Sequence, residues 1–314
     1  MIVSFEAEKV VEQVPVTPEL KQYYENLFAV LTKRIVGEDV IEQIEAIVIP
    51  NDFISAVLAF QKSHNDSKPS VTDNEFGRAY GKMLYNPETG KYSVFIDIML
   101  ASYIMEDNLF NACFTNLDEE NLLAVKRNRQ ASLNILAHEL SHVELATRLN
   151  RPKTEKSLQN GYIQQAYNLF DEYYACRKAG ALFPKSLADD DERFILELEE
   201  KIESERWEYK THKISLNQFC SVFHQLSEMT LIRLVSVLGG YAAEENDALP
   251  FQNSLVGKQA AEFKKCFDNL FFQVINGYKV DFSEMPTSAI GKYFCDLGVE
   301  ISETPRGLYY SIPD

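Results

Sequence analysis

Residues 131–150 contain neither proline nor glycine, and their structure is the most tightly constrained in the chain. Their apolar side chains recur three and four residues apart, the spacing that places them on one face of an α-helix. Asn150 is predicted to end this helix, because Pro152 follows closely and cannot continue it. The stripe predicted to pack against the body of the protein consists of Leu133, Leu136, Leu140, Val143 and Thr147.

Two histidines stand four residues apart on this helix, in the order His-Glu-Leu-Ser-His. Residues at that spacing share a face, so the imidazoles of His138 and His142 can reach one metal ion. They lie on a flank of the stripe shared with Ile135 and Leu145, where a cleft is expected. Glu139 projects roughly a quarter-turn away and can take a proton from water without binding the metal. The alternative is a surface histidine pair on an amphipathic helix.

Two imidazoles alone do not hold zinc tightly, since catalytic zinc sites use three protein ligands and leave one position for water. Residues 161–180 are predicted to form a second helix, closed by a glycine. It carries adjacent acids, Asp171 and Glu172, and Glu172 borders the packing stripe, where a carboxylate needs a partner. The alternative is that both acids are solvated surface charges. The remaining histidines do not lie at a metal-binding spacing from the pair: His64, His212 and His224.

The His138–His142 helix, followed by a helix in which Glu172 and Ala175 stand three apart, resembles the zincin metallopeptidases. Within them it is similar to the branch with a glutamate ligand and to compact bacterial proteases of the ImmA/IrrE type. The resemblance covers roughly residues 75–181. It implies that His138, His142 and Glu172 bind one Zn²⁺ and that Glu139 is the general base.

The chain departs from these families in three respects. Ser141 stands where they often have glycine, and no helix-turn-helix module is recognisable at either end. The long C-terminal region has no counterpart, so the resemblance implies neither a substrate nor a mode of regulation. Asp171 is the alternative third ligand, although its shorter side chain better suits a group that accepts a hydrogen bond from a ligand imidazole.

Peptide hydrolysis by zinc also requires a group that stabilises the oxyanion. In zincins this group is commonly a tyrosine, a histidine or an arginine. The sequence does not choose among Tyr173, Tyr174 and Arg177 on the second helix and His212, His224 and Tyr241 further on. With sixteen tyrosines in the chain, ordinary packing is the alternative for each tyrosine.

An extended substrate needs a strand edge. Residues 77–85 and 91–98 are strand-like and are joined by a turn with Pro87 early and Gly90 late. The hairpin that they form could offer an open edge to an extended peptide by β-augmentation. The alternative is that this edge is covered.

The composition of the chain limits the kinds of partner that the protein is expected to bind. The net charge of −16 argues against binding to phosphate backbones or to anionic membrane surfaces. The N-terminus lacks the pattern of a signal peptide, and the most apolar stretch, near residues 229–243, is too short to span a bilayer. Five scattered cysteines without C-x-x-C spacing indicate reduced thiols. We therefore expect a cytoplasmic protein with a peptide or protein substrate and no nucleic-acid or membrane partner.

The predicted fold class is α+β. Residues 1–181 are expected to form a zincin-like core, with a small antiparallel-edged sheet, the His-Glu-x-x-His helix and the third-ligand helix. Residues 182–314 are expected to be mostly helical and to end in a β-hairpin. The predicted function is a zinc metallopeptidase, a hydrolase in which Glu139 activates water. The alternative is a catalytically silent zinc-binding regulatory or interaction protein, which is less favoured because a purely structural site has no use for a base.

Overall fold

The computed structural model describes residues 1–11, 14–64, 69–74, 77–150, 152, 157–184 and 191–313. The chain folds into two compact units. The first comprises Met1–Thr147 and Leu182–Lys185, and the second comprises Arg148–Ala181 and Ser186–Asp314. The predicted domain boundary after residue 181 stays a prediction. The sequence also predicts a break at the acid-rich segment 187–192, of which residues 187–190 lie outside the described residues and residues 191 and 192 are helical.

The N-terminal part of the chain contains both strands and helices. Its strands are β1 (Ile2–Phe5), β2 (Lys9–Val11), β3 (Val14–Pro15), β4 (Ile44–Ile49), β5 (Asp73–Asn74), β6 (Gly77–Arg78), β7 (Gly81–Asn86) and β8 (Lys91–Ile96). Its helices are α1 (Pro18–Ile35), α2 (Glu38–Ile41), α3 (Phe53–Ser63), α4 (Ile98–Ala101), α5 (Asp107–Phe114) and α6 (Glu119–Arg148).

Four of these strands form one mixed sheet in the order β1-β4-β8-β7. β1 is parallel to β4 and β4 to β8, whereas β7 runs antiparallel to β8 as the second arm of a hairpin. Among the described residues, β7 pairs with β8 alone, so its other edge carries no strand. The predicted hairpin is confirmed, and Gly90 in its turn has the positive φ of 71° that favours glycine.

Helix α6 packs its apolar stripe into the core beside this sheet. Leu136, Leu140 and Val143 are fully buried in one cluster with Ile47 and Val94 of the parallel strands. Each such leucine contributes about 1.5–3 kcal/mol by burial. The stripe predicted from the 3,4 spacing is thus confirmed at its centre and gives α6 a fixed face toward the sheet.

Several local expectations need correction. Helix α6 begins at Glu119 rather than near residue 131, because its exposed first half is polar and has no apolar periodicity to read. The sequence predicts Asn51 as the cap of α3, but Asp52 caps it by accepting a hydrogen bond from the Ser55 N–H at 3.0 Å. The sequence predicts one helix over residues 98–107, but these residues fall into α4 and the start of α5. The sequence predicts an extended lead-in over residues 1–16, and in the structure this segment contains β1, an edge strand of the sheet.

The second unit is mostly helical. Its helices are α7 (Leu158–Leu182), α8 (Asp191–Lys210), α9 (Leu216–Ala243), α10 (Ala260–Ile275) and α11 (Thr287–Asp296), with 3₁₀ turns at Val256–Gln259 and Phe282–Glu284. β9 (Glu300–Thr304) and β10 (Gly307–Ser311) form the expected terminal hairpin. The α+β fold class is therefore confirmed. None of the described helices is long and apolar enough to cross a membrane.

Aromatic side chains make up much of the core of this second unit. Tyr173 and Phe170 of α7 are fully buried, and both rings contact Phe267 of α10 at centroid distances of 5.4 and 5.5 Å. Offset and tilted aromatic pairs of this kind stabilise a core beyond the area that they bury. The sequence predicts Trp207 on an apolar stripe of α8, but its side chain is 55% exposed, with the Lys213 ammonium 4.4 Å from the ring centroid.

The loop before α10 requires a glycine at position 257. The Cβ of an alanine there would overlap the carbonyl oxygen of Phe251, a residue that itself has a left-handed φ of 58°. That oxygen also accepts the Ser254 hydroxyl at 2.8 Å, so it has little freedom to move.

We expect Gly257→Ala to destabilise the protein by at least about 2 kcal/mol, through overpacking against backbone. The thermal midpoint should fall by roughly 4–8 °C in scanning calorimetry. Gly291→Ala is the matched control, because an added Cβ there meets nothing within 4 Å inside α11. Gly291→Ala should leave the free energy of unfolding unchanged or raise it by up to about 1 kcal/mol. Equal midpoints for the two variants would contradict the packing argument.

Candidate metal centre

The two histidines of α6 direct the same ring atom toward a common point. The Nε2 atoms of His138 and His142 lie 3.0 Å apart, and their rings are nearly perpendicular, at 88° with centroids 4.6 Å apart. Two nitrogens bound to one tetrahedral zinc at about 2.05 Å are separated by about 3.3 Å. His142 is only 8% exposed. The pair is therefore arranged as the i, i+4 spacing predicts, with both imidazoles available to one ion.

Glu172 of α7 completes a group of three potential ligands. One ligand atom from each of His138, His142 and Glu172 lies within 4.8 Å of the other two. His142 is buried, and the other two side chains are partly buried. This group could hold one metal ion. Asp171, the alternative ligand, is partly buried and is not a member of the group.

The chemistry of the three donors narrows the kinds of ion that fit. Two imidazole nitrogens and one carboxylate oxygen form the ligand set of one class of catalytic zinc site, which keeps its fourth position open. Structural zinc sites usually close that position with cysteine or histidine instead. Manganese, cobalt and iron also accept such ligands, whereas calcium and magnesium prefer oxygen ligands.

Glu139 lies on α6 between the two histidines, but its carboxylate turns to the sheet. It is 8% exposed, and its Oε2 accepts a hydrogen bond from the Met83 N–H of β7 at 2.8 Å. Its Cγ and Oε1 lie against the backbone of Gly81, where an added Cβ would come within 2.7 and 3.0 Å of them. Glu139 is thus a buried carboxylate with a backbone partner, and it is not a member of the three-ligand group.

Tyr173 and Arg177, two of the predicted oxyanion stabilisers, contact an acid on α10. The Tyr173 hydroxyl and the Arg177 guanidinium both donate to Asp268 Oδ1 at 2.6 Å. Burial raises the pKa of the Tyr173 hydroxyl well above its usual value. Burial alone would raise the pKa of Asp268, but hydrogen bonds from Tyr173 and Lys264 outweigh it and lower that pKa. These contacts hold α7 against α10, and an oxyanion role for either residue stays a prediction.

His224, another of the six candidate oxyanion stabilisers, contacts the terminal hairpin. Its Nε2 lies 2.7 Å from the hydroxyl of Tyr310 on β10. Burial lowers the pKa of the His224 imidazole, so its neutral form is favoured. Its described contacts give it a packing role in the second unit, and its part in a reaction also stays a prediction.

Two residues beside Glu139 were not identified from the sequence. Gly81 and Met83 were assigned to a strand, but their proximity to the acid of the motif was not predicted. One signal was present, because a glycine in a strand often marks the close approach of another group. The sequence does not show which group approaches, since Met83 and Glu139 are 56 residues apart.

Comparison with protein-family models, with curated proteins and with solved structures returned no match for this chain. The resemblance to zincins therefore depends on the residues of the site alone.

Proposed function

We propose that the protein is a zinc-dependent peptidase. The observation that carries the proposal is the grouping of His138, His142 and Glu172, with a buried glutamate beside the first histidine that is not itself a member of the group. Three protein ligands of this type characterise catalytic rather than structural zinc sites. Glu172 and the two imidazoles would hold the ion, which would supply the Lewis-acid chemistry of the reaction.

The division of roles follows from the side chains. Zinc in such a site polarises a carbonyl group and lowers the pKa of water toward neutrality. Glu139, next to His138 on α6, is proposed to accept the proton of the attacking water and to deliver it to the leaving amine. Its carboxylate is suited to this task because it is shielded from bulk solvent and held by the backbone N–H of Met83.

A peptide is the proposed substrate class because an edge strand lies next to the base. β7 pairs with β8 on one side and contacts Glu139 from its other edge. An extended chain can add to such an edge through main-chain hydrogen bonds. The mixed sheet with one antiparallel edge strand is also in keeping with the resemblance to zincins.

Metal removal provides the direct test. We expect the purified protein to cleave members of a peptide library, to lose this activity in a chelator, and to regain it when zinc is added back. Cleavage sites would be read by mass spectrometry, with the fluorescence of quenched peptides as the rate measurement. A protein that binds zinc and cuts no peptide would refute the proposal and would support the alternative, a silent zinc-binding regulatory protein.

A further inference from the structure

The backbone conformation of β7 does not require a glycine at position 81. It opens β7 opposite Ile96 of β8, and its φ is not among the positive values found at Gly90, Gly277 and Gly298. Glycine weakens a strand because it adds backbone entropy to the unfolded chain and contributes no side chain to packing. The side chains that pack against Gly81 explain why a glycine stands there.

The space beside Gly81 is filled from α6. An ideal Cβ at this position would lie 2.7 Å from Glu139 Cγ, 3.0 Å from Glu139 Oε1 and 3.0 Å from Ile135 Cγ2. A separation below 3.0 Å forces something to move, and neither neighbour is an exposed, flexible chain end: Glu139 is buried and Ile135 partly so. The missing side chain of Gly81 therefore makes room for the side chain of Glu139.

Met83 supplies the second contact from the same strand. Residues two apart in a strand face the same way, and their outward N–H groups point to the same edge. The Met83 N–H donates to Glu139 Oε2 at 2.8 Å, and so points away from β8. A hydrogen bond to a carboxylate is shorter and stronger than one between neutral groups.

We propose that Gly81 and the Met83 amide form a cradle that positions the carboxylate of Glu139, and that Gly81 is a positioning residue for the reaction. This inference depends on the proposed function, because it assumes that Glu139 is the base. The cradle anchors one carboxylate oxygen to β7 and fixes the direction of the other. The strand proposed to bind the substrate thereby also sets the position of the base.

The first test is the kinetic effect of Gly81→Ala. A base displaced by about 1 Å loses about 100-fold in rate, so kcat should fall by about that factor. KM should change much less than kcat, because the added methyl group points toward Glu139 and Ile135 of α6 rather than along the edge of β7. The zinc content should not change, because none of the three ligands is altered. Gly291→Ala, which has open space around it in α11, should keep the kcat of the wild type. A wild-type kcat for Gly81→Ala would overturn the inference while leaving the proposed function intact.

The second test needs no activity and uses metal-free protein. Gly81→Ala should lower the thermal midpoint, and it should lower it less in a Glu139→Ala background, where the nearest contact has been removed. In Glu139→Ala with Gly81 in place, the Met83 amide should exchange its hydrogen faster than in the wild type. Equal midpoint shifts in both backgrounds, or an unchanged Met83 exchange rate, would overturn the cradle even if Gly81→Ala is too unstable to assay. A wild type that cleaves nothing would overturn the proposed function and the positioning role with it.

Discussion

Replacement of Glu139 by glutamine should lower kcat by about 10²–10⁴-fold while the protein keeps its zinc. Glutamine has the size of glutamate, and its Oε1 can still accept the Met83 N–H that now binds the carboxylate. The fold and the three-ligand group should therefore persist. The amide cannot accept a proton from water, so only the rate of the chemical step should fall. The measurement is kcat on a cleaved peptide together with zinc per chain by atomic spectrometry.

A matched control separates the loss of this base from the loss of a charge. Glu120→Gln removes an exposed acid from the first turn of the same helix, far from the histidines, and should leave both values unchanged. If Glu139→Gln cleaves at the wild-type rate, another group is the base. If it loses zinc, Glu139 is a ligand, and the division of roles proposed here is wrong.

The parts of the fold that were predicted depend on short-range patterns. The stripe on α6, the histidine pair and the β7–β8 hairpin each lie within about twenty residues, where helix and strand periodicity applies. The start of α6 was missed because its polar first half has good helix formers but no apolar repeat. β1 was missed because a strand of four residues is defined by its pairing with β4, about 44 residues away.

The residues of the candidate site also differ in whether a short-range sequence pattern predicts their position. The spacing of His138 and His142 fixed their common face, whereas the choice of Glu172 over Asp171 relied on a resemblance and on one position round a helix. The hydrogen bonds of Met83 with Glu139 and of Tyr173 with Asp268 join residues 56 and 95 apart. Long-range interactions of this kind depend on how elements pack, and no local pattern encodes them.

Zinc binding by ligand variants should show the second large effect. His142→Ala removes one of two converging imidazoles and should leave no stoichiometric zinc after dialysis. Loss of a group that only hydrogen-bonds to a ligand typically weakens metal affinity by about 10–100-fold. Glu172→Ala should weaken zinc binding by more than this, because it removes a ligand itself. Asp171→Ala, one residue earlier on α7, should stay within or below that range, because Asp171 is not a member of the group.

The two acids serve as controls for each other, because both are partly buried carboxylates on the same turn of α7. Competition with a chromophoric chelator gives each affinity, and circular dichroism of the metal-free variants shows whether the helix persists. A reversed order, with Asp171→Ala losing zinc and Glu172→Ala keeping it, would assign the third ligand to Asp171. If both variants bind zinc as tightly as the wild type does, α7 supplies no ligand, and a catalytic site with three protein ligands cannot be built from the residues proposed here.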